Sequence, residues 1–367
     1  MTDERLMAGF RGHTHHGFRG TSPVIELDGV PVLVSMDIDG VLWTCDLRAG
    51  TCAQRPLELD AAAPDDDWYR EIGLLDDDAD EDEDWRPEFE IDVWGIVSVF
   101  TTGHLGGRPV VVTGGGRFDL ARFDEDMMGG AVRVWDLRTG RKIGKTLTGH
   151  ELGVCSLAAV PYERGLLVVS SSEEGTLLAW DVATGERLAE IEGSYNGAMG
   201  AALIDGRPIA VTGGHDSFVQ AWDILSGEPL GEPLTGIEPV VRAIAITRTD
   251  GRTVVVGGGD DHALRVWDLE SQKPAGPPLT GHTDSIETLG TATVAGRTIA
   301  ITGSRDGTTR IWDLARGEQI GEPLDGRHLH TCIGIAGTPV AVTAGSGNGI
   351  LIWDLTRAAP AAPEQLR

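Results

Sequence analysis

The sequence predicts an all-β protein: a single seven-bladed β-propeller with four-stranded antiparallel blades, its ring closed by the N-terminal strand. Three observations carry this. Trp-Asp dipeptides recur at Trp135, Trp180, Trp222, Trp267, Trp312 and Trp353, at intervals of 45, 42, 45, 45 and 41 residues. A second frame precedes each of them: GRPVVVTGG from Gly107, RGLLVVSSS at Arg164–Ser172, GRPIAVTGG from Gly206, GRTVVVGGG from Gly251, GRTIAITGS from Gly296 and GTPVAVTAG from Gly337. Two frames sharing one period mark a repeat architecture. Third, Gly supplies 51 of 367 residues and is spread along the chain, as many short strands joined by tight turns require.

Each element follows from the residues. Short β-branched runs such as VVVTG and VRVWDL favour strands. DLRTG and its relatives are hairpin turns, where Gly can take positive φ. One unit gives about four strands, too few residues to bury a core alone, and stacking units around an axis covers both faces of every sheet. A seventh copy stands near the start. GVPVLVSMD from Gly29 matches the second frame and TCDLRAG at Thr44–Gly50 the first, with Cys45 in the Trp place and Trp43 two residues earlier on the same side of the strand. The segment Leu6–Phe10 precedes Gly12-His13 as GPPL precedes Gly281-His282, so it is expected to complete the last blade. The propeller then spans residues 1–355, and 356–367 form a Pro/Ala-rich tail unlike a strand.

Charge narrows the function classes. The net charge of −27 sets the chain against phosphate backbones and anionic lipid, so nucleic acid and membrane surfaces are excluded as partners and basic proteins are favoured. There is no run of 18 apolar residues, and the opening MTDERLMAGFRGH has no apolar signal region. Four cysteines, Cys45, Cys52, Cys155 and Cys332, form no Cys-x-x-Cys pair. The expectation is a reduced, cytoplasmic, monomeric protein. Cys45 and Cys52 flank a turn symmetrically and could face each other, but the compartment favours two small buried side chains over a disulfide.

The period, the Gly-His ahead of a first strand and the Trp-Asp closing a third together resemble the WD-repeat (Trp-Asp repeat) β-propeller family over about residues 5–355. The composition looks most like the Gly-Arg-rich, Lys-poor propellers of actinobacteria. The resemblance implies a buried His, Ser/Thr, Asp and Trp tetrad in each blade. Repeat six carries the full set, His282, Thr302, Asp306 and Trp312. Repeat three has His150, Ser170 and Trp180 with Glu174 in the Asp slot. Repeat four has Thr212, Asp216 and Trp222, with Ser194 near the His slot. Repeat five keeps Asp261 and Trp267 but has Ile237 and Gly257 in the His and Ser/Thr slots. Repeat seven has Thr343 and Trp353, with Gly347 in the Asp slot, and repeat one offers Ser35, Asp39, Cys45 and either His13 or His15. These residues are expected to be structural.

The same resemblance implies a partner-binding rim, the crown, built from the loops before each first strand and between second and third strands. Here it would present Arg305, Asp260, His215, Glu173, Thr283, Ser285, Glu151 and Glu238. Repeat two adds two insertions on that side, an acidic one at 60–92 and a loop at 115–130. The first holds sixteen Asp or Glu and two Arg, a net of −14. Within it Trp68, Ile72 and Leu75 share one helical face, and Trp85 follows. This describes an acidic arm with apolar anchors for a basic partner. A solvated acidic loop and a lid over the crown are its alternatives.

No constellation for catalysis separates from the tetrads. His13, His15 and His16 lack a convergent fourth ligand, and DADEDED at Asp78–Asp84 lacks the Gly and Glu that a calcium loop needs, so no metal and no cofactor are expected. The triple glycines at 114–116 and 257–259 are not followed by Lys-Ser/Thr. The expected function is a non-catalytic interaction scaffold that holds a protein or peptide through the crown. The alternative is an enzyme or small-molecule-binding protein using the crown or the central channel, since a propeller can host either.

Overall fold

The computed structural model describes residues 6–11, 24–36, 42–49, 51–55, 57, 99–116, 129–163, 165–193, 197–294, 296–325, 328–335, 338–344 and 349–354. Among these there is no helix. The strands form separate antiparallel sheets. Six are each built from strands consecutive in the chain, and their first strands are Val24–Leu27, Val99–Leu105, Val154–Tyr162, Ala198–Ile204, Val241–Thr249 and Ile286–Val294. Their outermost strands vary most. In blade six two short pieces, Glu318–Gln319 and Leu324–Asp325, both pair with the third strand. A further four-stranded sheet joins the two ends of the chain. His328–Ile335, Thr338–Ala344 and Gly349–Asp354 are followed by Leu6–Arg11, which pairs with Gly349–Asp354 from Leu6↔Trp353 to Arg11↔Gly349. The seven like blades expected from the repeat count therefore resolve into six blades, each folded from one stretch of chain, and one sheet that both termini share.

First strands pack on first strands from one sheet to the next, so they line the inside of the assembly. The core lies between sheets. Val110, Val112 and Val132 of blade two meet Val154, Leu166 and Trp180 of blade three. Val211 and Val219 of blade four meet Ile244, Val255 and Trp267 of blade five, and Val254 and Val256 of blade five meet Ile286 and Trp312 of blade six. Each of these tryptophans faces the preceding blade. This is why its recurrence dominates the sequence pattern: the largest apolar surface of each unit closes the joint with its neighbour.

The Asp of each Trp-Asp pair has a separate task. Asp136 Oδ1 accepts from the backbone N–H of Arg138 at 2.8 Å and of Thr139 at 2.9 Å, and Asp181, Asp223 and Asp313, with Asp46 after Cys45, cap the same turn. The turn ends in a left-handed residue, Gly140 at φ 71° or Gly185 at φ 69°. Between first and second strands, Asp205-Gly206 at φ 50° and 79° makes the two-residue hairpin whose twist matches the strands. The Gly-Arg of the second frame is the exit from that turn.

One expectation is corrected. Cys45 and Cys52 are register partners across the hairpin, with Cα atoms 4.0 Å apart, and the structure joins them in a disulfide. The turn places both side chains on one face, which outweighs the compartment argument for free thiols. Alkylation of unfolded, non-reduced protein is therefore expected to spare Cys45 and Cys52, and to label them after reduction. Replacing both by serine is expected to cost about 2 kcal/mol, because the closed loop is short. Full labelling without reduction would show that the bond is absent.

Candidate functional site

The structure builds the tetrad of blade six as one continuous hydrogen-bond chain. The Trp312 indole N–H donates to Thr302 Oγ1 at 2.8 Å, and Thr302 Oγ1 lies 2.8 Å from His282 Nε2. His282 Nδ1 lies 2.8 Å from Asp306 Oδ2. The indole can only donate and the carboxylate can only accept, so Thr302 donates to Nε2 and Nδ1 carries the imidazole proton. Burial pushes His282 below its ordinary value, and the hydrogen bond and charge of Asp306 oppose this only in part. Burial raises the Asp306 carboxyl, but hydrogen bonds from Thr308, His282 and the Thr283 N–H outweigh it and lower it to about 2. The last link ties the tetrad to the rim, since Thr283 N donates to Asp306 Oδ2 at 3.1 Å.

The other blades show what substitution does to this chain. In blade three Trp180 donates to Ser170, which meets His150 Nε2 at 2.8 Å, while His150 Nδ1 lies 3.1 Å from Glu174. The extra methylene lets Glu174 also accept from the backbone of Glu151 and Leu152, so Glu replaces Asp without loss of the loop anchor. In blades two and four the Trp link is present as well: Trp135 donates to Thr113 at 2.8 Å and Trp222 to Thr212 at 3.0 Å. In blade five the polar chain is dismantled consistently. A side chain at Gly257 would meet Ile237 and Trp267, Trp267 donates to the Thr235 carbonyl, and Asp261 pairs with Arg265. Ile237 fills the histidine slot as an apolar plug.

On the crown the candidate residues separate into two groups. Asp260 and Ser285 come together between blades five and six: Ser285 Oγ donates to Asp260 Oδ1 at 2.8 Å, and Arg242 binds the same carboxylate with two N–H groups. Arg305 lies beside them, its backbone N–H on the Ser285 carbonyl at 3.0 Å and its guanidinium on Glu287. Hydrogen bonding from Arg242 holds Asp260 below the usual carboxylate range, against burial, with Ser285 and the charges of Arg242 and Arg305 adding to it. Ser285 is buried, so it orders the rim from below. Glu151, Glu173, His215 and Glu238 form the second group. They are exposed, on the loops of blades three to five, and among the described residues their side chains make no hydrogen bond or ion pair. Thr283 is exposed as well.

Sequence reasoning missed Arg242 and Glu287. Both are the unpaired residue of a β-bulge on a first strand, between Val241 and Ala243 and between Ile286 and Thr288. A bulge re-aims one side chain. Cys155 holds the same position in blade three. The available signal was a polar residue second in an otherwise apolar run, in VRAIAI, IETL and VCSL. Trp68, Ile72, Leu75 and Trp85, the whole insertion 60–92, residues 117–128 of the second insertion, and His13, His15 and His16 lie outside the described residues. So do Asp39, Ser194 and Gly347.

The fold and these tetrads define a β-propeller in which blades three and six each carry a complete Trp, Ser/Thr, His and carboxylate chain. Comparison with known proteins agrees with that class: the family described as WD domain, G-beta repeat matches residues 141–181 and 276–313. The chain is similar to eukaryotic translation initiation factor 3 subunit I of Aspergillus terreus, 39% identical over 87 residues, which are 22% of this chain and 24% of that protein. It is similar to autophagy-related protein 16 of Arabidopsis thaliana, 31% identical over 116 residues (31% and 22%), and to nuclear distribution protein nudF of Aspergillus niger, 29% identical over 132 residues (34% and 28%). The chain thus spans about a quarter of the length of these relatives.

Proposed function

We propose that this chain is a monomeric, seven-bladed WD-repeat propeller that acts as a non-catalytic scaffold, holding a basic protein or peptide on its crown, with the acidic insertion 60–92 helping to recruit it. The sheet shared by the two termini serves as the seventh blade. The observation that carries the reading is the split on the crown. The cations Arg242 and Arg305 are committed to Asp260 and Glu287, whereas Glu151, Glu173 and Glu238 are exposed on the loops of blades three and five, the first of which Glu174 anchors. The rim from blade three to blade five therefore offers carboxylates to a partner. The net charge of −27 favours the same partner and opposes nucleic acid and anionic membranes. A bacterial, actinobacterial-like and cytoplasmic setting belongs to the same reading; three lysines in the whole chain support it, although the relatives named above are eukaryotic.

The test is affinity capture from the source cell with three proteins: wild type, a deletion of 60–92, and Glu151→Lys/Glu173→Lys/Glu238→Lys. Captured partners are expected to be basic, to be lost from the triple variant, and to associate more slowly with the deletion. Their association rate with wild type is expected to fall with added salt, since exposed charges are screened within about 8–10 Å. Partners unchanged in both variants would remove the crown reading. Stronger binding by the deletion would make the insertion a lid.

A further inference from the structure

The face opposite the crown carries a feature that the tetrads and the rim do not use. A groove of about 590 Å³ opens between blades three and four. Tyr162 and Glu163 come from the turn joining the first two strands of blade three, and Leu188 from that blade's outer strand. Leu203 and Pro208 flank the equivalent turn of blade four, and Leu225 follows its Trp-Asp pair. Strand direction alternates, so these turns lie at the end of the sheets away from Glu173 and His215.

The groove is built to stay open. Tyr162 O–H donates to Asp181 Oδ2 at 2.9 Å, which fixes the ring as a wall. Leu203 and Leu225 are 43% and 48% exposed, the large apolar side chains most open to water among the described residues, and both stand at this one place. Two such side chains on one groove form a patch, and patches of this kind mark contact sites. The charges nearby are uneven. Arg207 is bound to Asp223 at 2.6 Å, Arg187 to Glu190 at 3.1 Å and Arg248 to Asp205, whereas Glu163 is exposed and makes no ion pair among the described residues.

We infer that this groove docks a short segment of another protein, carrying two aliphatic side chains beside a lysine or arginine. The leucines and Pro208 take the aliphatic pair, and Glu163 takes the cation. Charge also selects against a second copy of this chain as the occupant, because two molecules of net charge −27 repel. The site is separate from the crown, and its test does not depend on the crown reading.

The test is a random short-peptide phage selection on the full chain, with soluble Leu203→Asp/Leu225→Asp protein added to absorb binders of every other surface. Selected peptides are expected to pair leucine, isoleucine or valine with lysine or arginine. Synthetic copies are expected to lose at least about tenfold in affinity on the double variant and several-fold on Glu163→Gln, and to bind Glu151→Lys/Glu173→Lys as they bind wild type. Glu163→Arg, at an exposed position that makes no ion pair among the described residues, is expected to turn the selection toward acidic peptides, and it serves as the decisive variant if the double substitution lowers the melting temperature. The inference is overturned by a selection that yields no discriminating peptide, by peptides without a cation, or by binding indifferent to Glu163→Arg. A wild-type dimer in sedimentation that Leu225→Ser dissolves would also overturn it, making a second copy the occupant.

Discussion

Removal of residues 1–11 is expected to destabilise the whole propeller, not merely to trim its end. Leu6–Arg11 is the outer strand of the sheet formed by both termini, in register with Gly349–Asp354. Without it, the strand that carries Trp353 becomes a bare sheet edge. Trp353 packs with Ile299, Ile301 and Ile311 of blade six, so loosening its strand loosens that joint too. Losing about five inter-strand hydrogen bonds at 0.5–1.5 kcal/mol each predicts a loss on the order of 3–5 kcal/mol. For a protein of this size that corresponds to a fall in Tm of roughly 5 °C, with aggregation through the exposed edge. Calorimetry on the truncated protein checks the first effect and light scattering the second. Adding a peptide of residues 1–11 is expected to restore part of the loss. A truncated protein that melts like wild type and stays monomeric would show that the terminal strand does not hold the sheet together.

The second large effect is expected from His282→Ala. The substitution removes the one group that touches both Thr302 and Asp306, and it leaves a hole beside Trp312, whose ring stands edge-on to the imidazole with centroids 6.2 Å apart. Stranding buried polar groups costs about 1–3 kcal/mol, and the cavity adds to it, so a total of roughly 2–4 kcal/mol is expected by urea denaturation. Asp306 keeps its bonds to Thr308 and Thr283 N, which limits the damage to the rim. Gly257→Ser, by contrast, finds no histidine in blade five, because Ile237 fills that slot, and its side chain would crowd Ile237 and Trp267.

The same tetrads set the acid response. His282 and His150 both titrate below the ordinary value of 6.5 in the folded state, chiefly because they are buried. The unfolded chain therefore takes up protons first as pH falls through 6.5, and stability declines from there until the folded imidazoles titrate. Asp306 adds a second, more acid window, between its unfolded value of 3.8 and about 2. Urea midpoints are expected to fall between about pH 7 and pH 5 in wild type, and to fall less in His150→Gln/His282→Gln. An equal fall in both proteins would assign this window to other groups.

The sequence by itself determined the repeat, its hairpins and its buried polar chains. These rest on neighbours within one unit: a Trp and the Thr or Ser ten residues before it, or an Asp and the two backbone N–H groups that follow. Local spacing encodes such contacts, so His282, Thr302, Asp306 and Trp312 were readable as a set. It also placed Cys45 opposite Cys52, but not their bond, which depended on the register that set the two Sγ atoms on one face. The tertiary structure decided what happens between units. Arg242 reaches Asp260 because a bulge turns it out of its strand, and Ser285 reaches the same carboxylate from the next blade, 25 residues away. Leu203 and Leu225 line one groove with Tyr162 and Leu188 only because blade four packs against blade three. The physical reason is the same in each case. Period and propensity specify a blade from local residues, whereas which surface charges neutralise one another, and which apolar side chains stay uncovered, depends on the distance and angle at which blades stack.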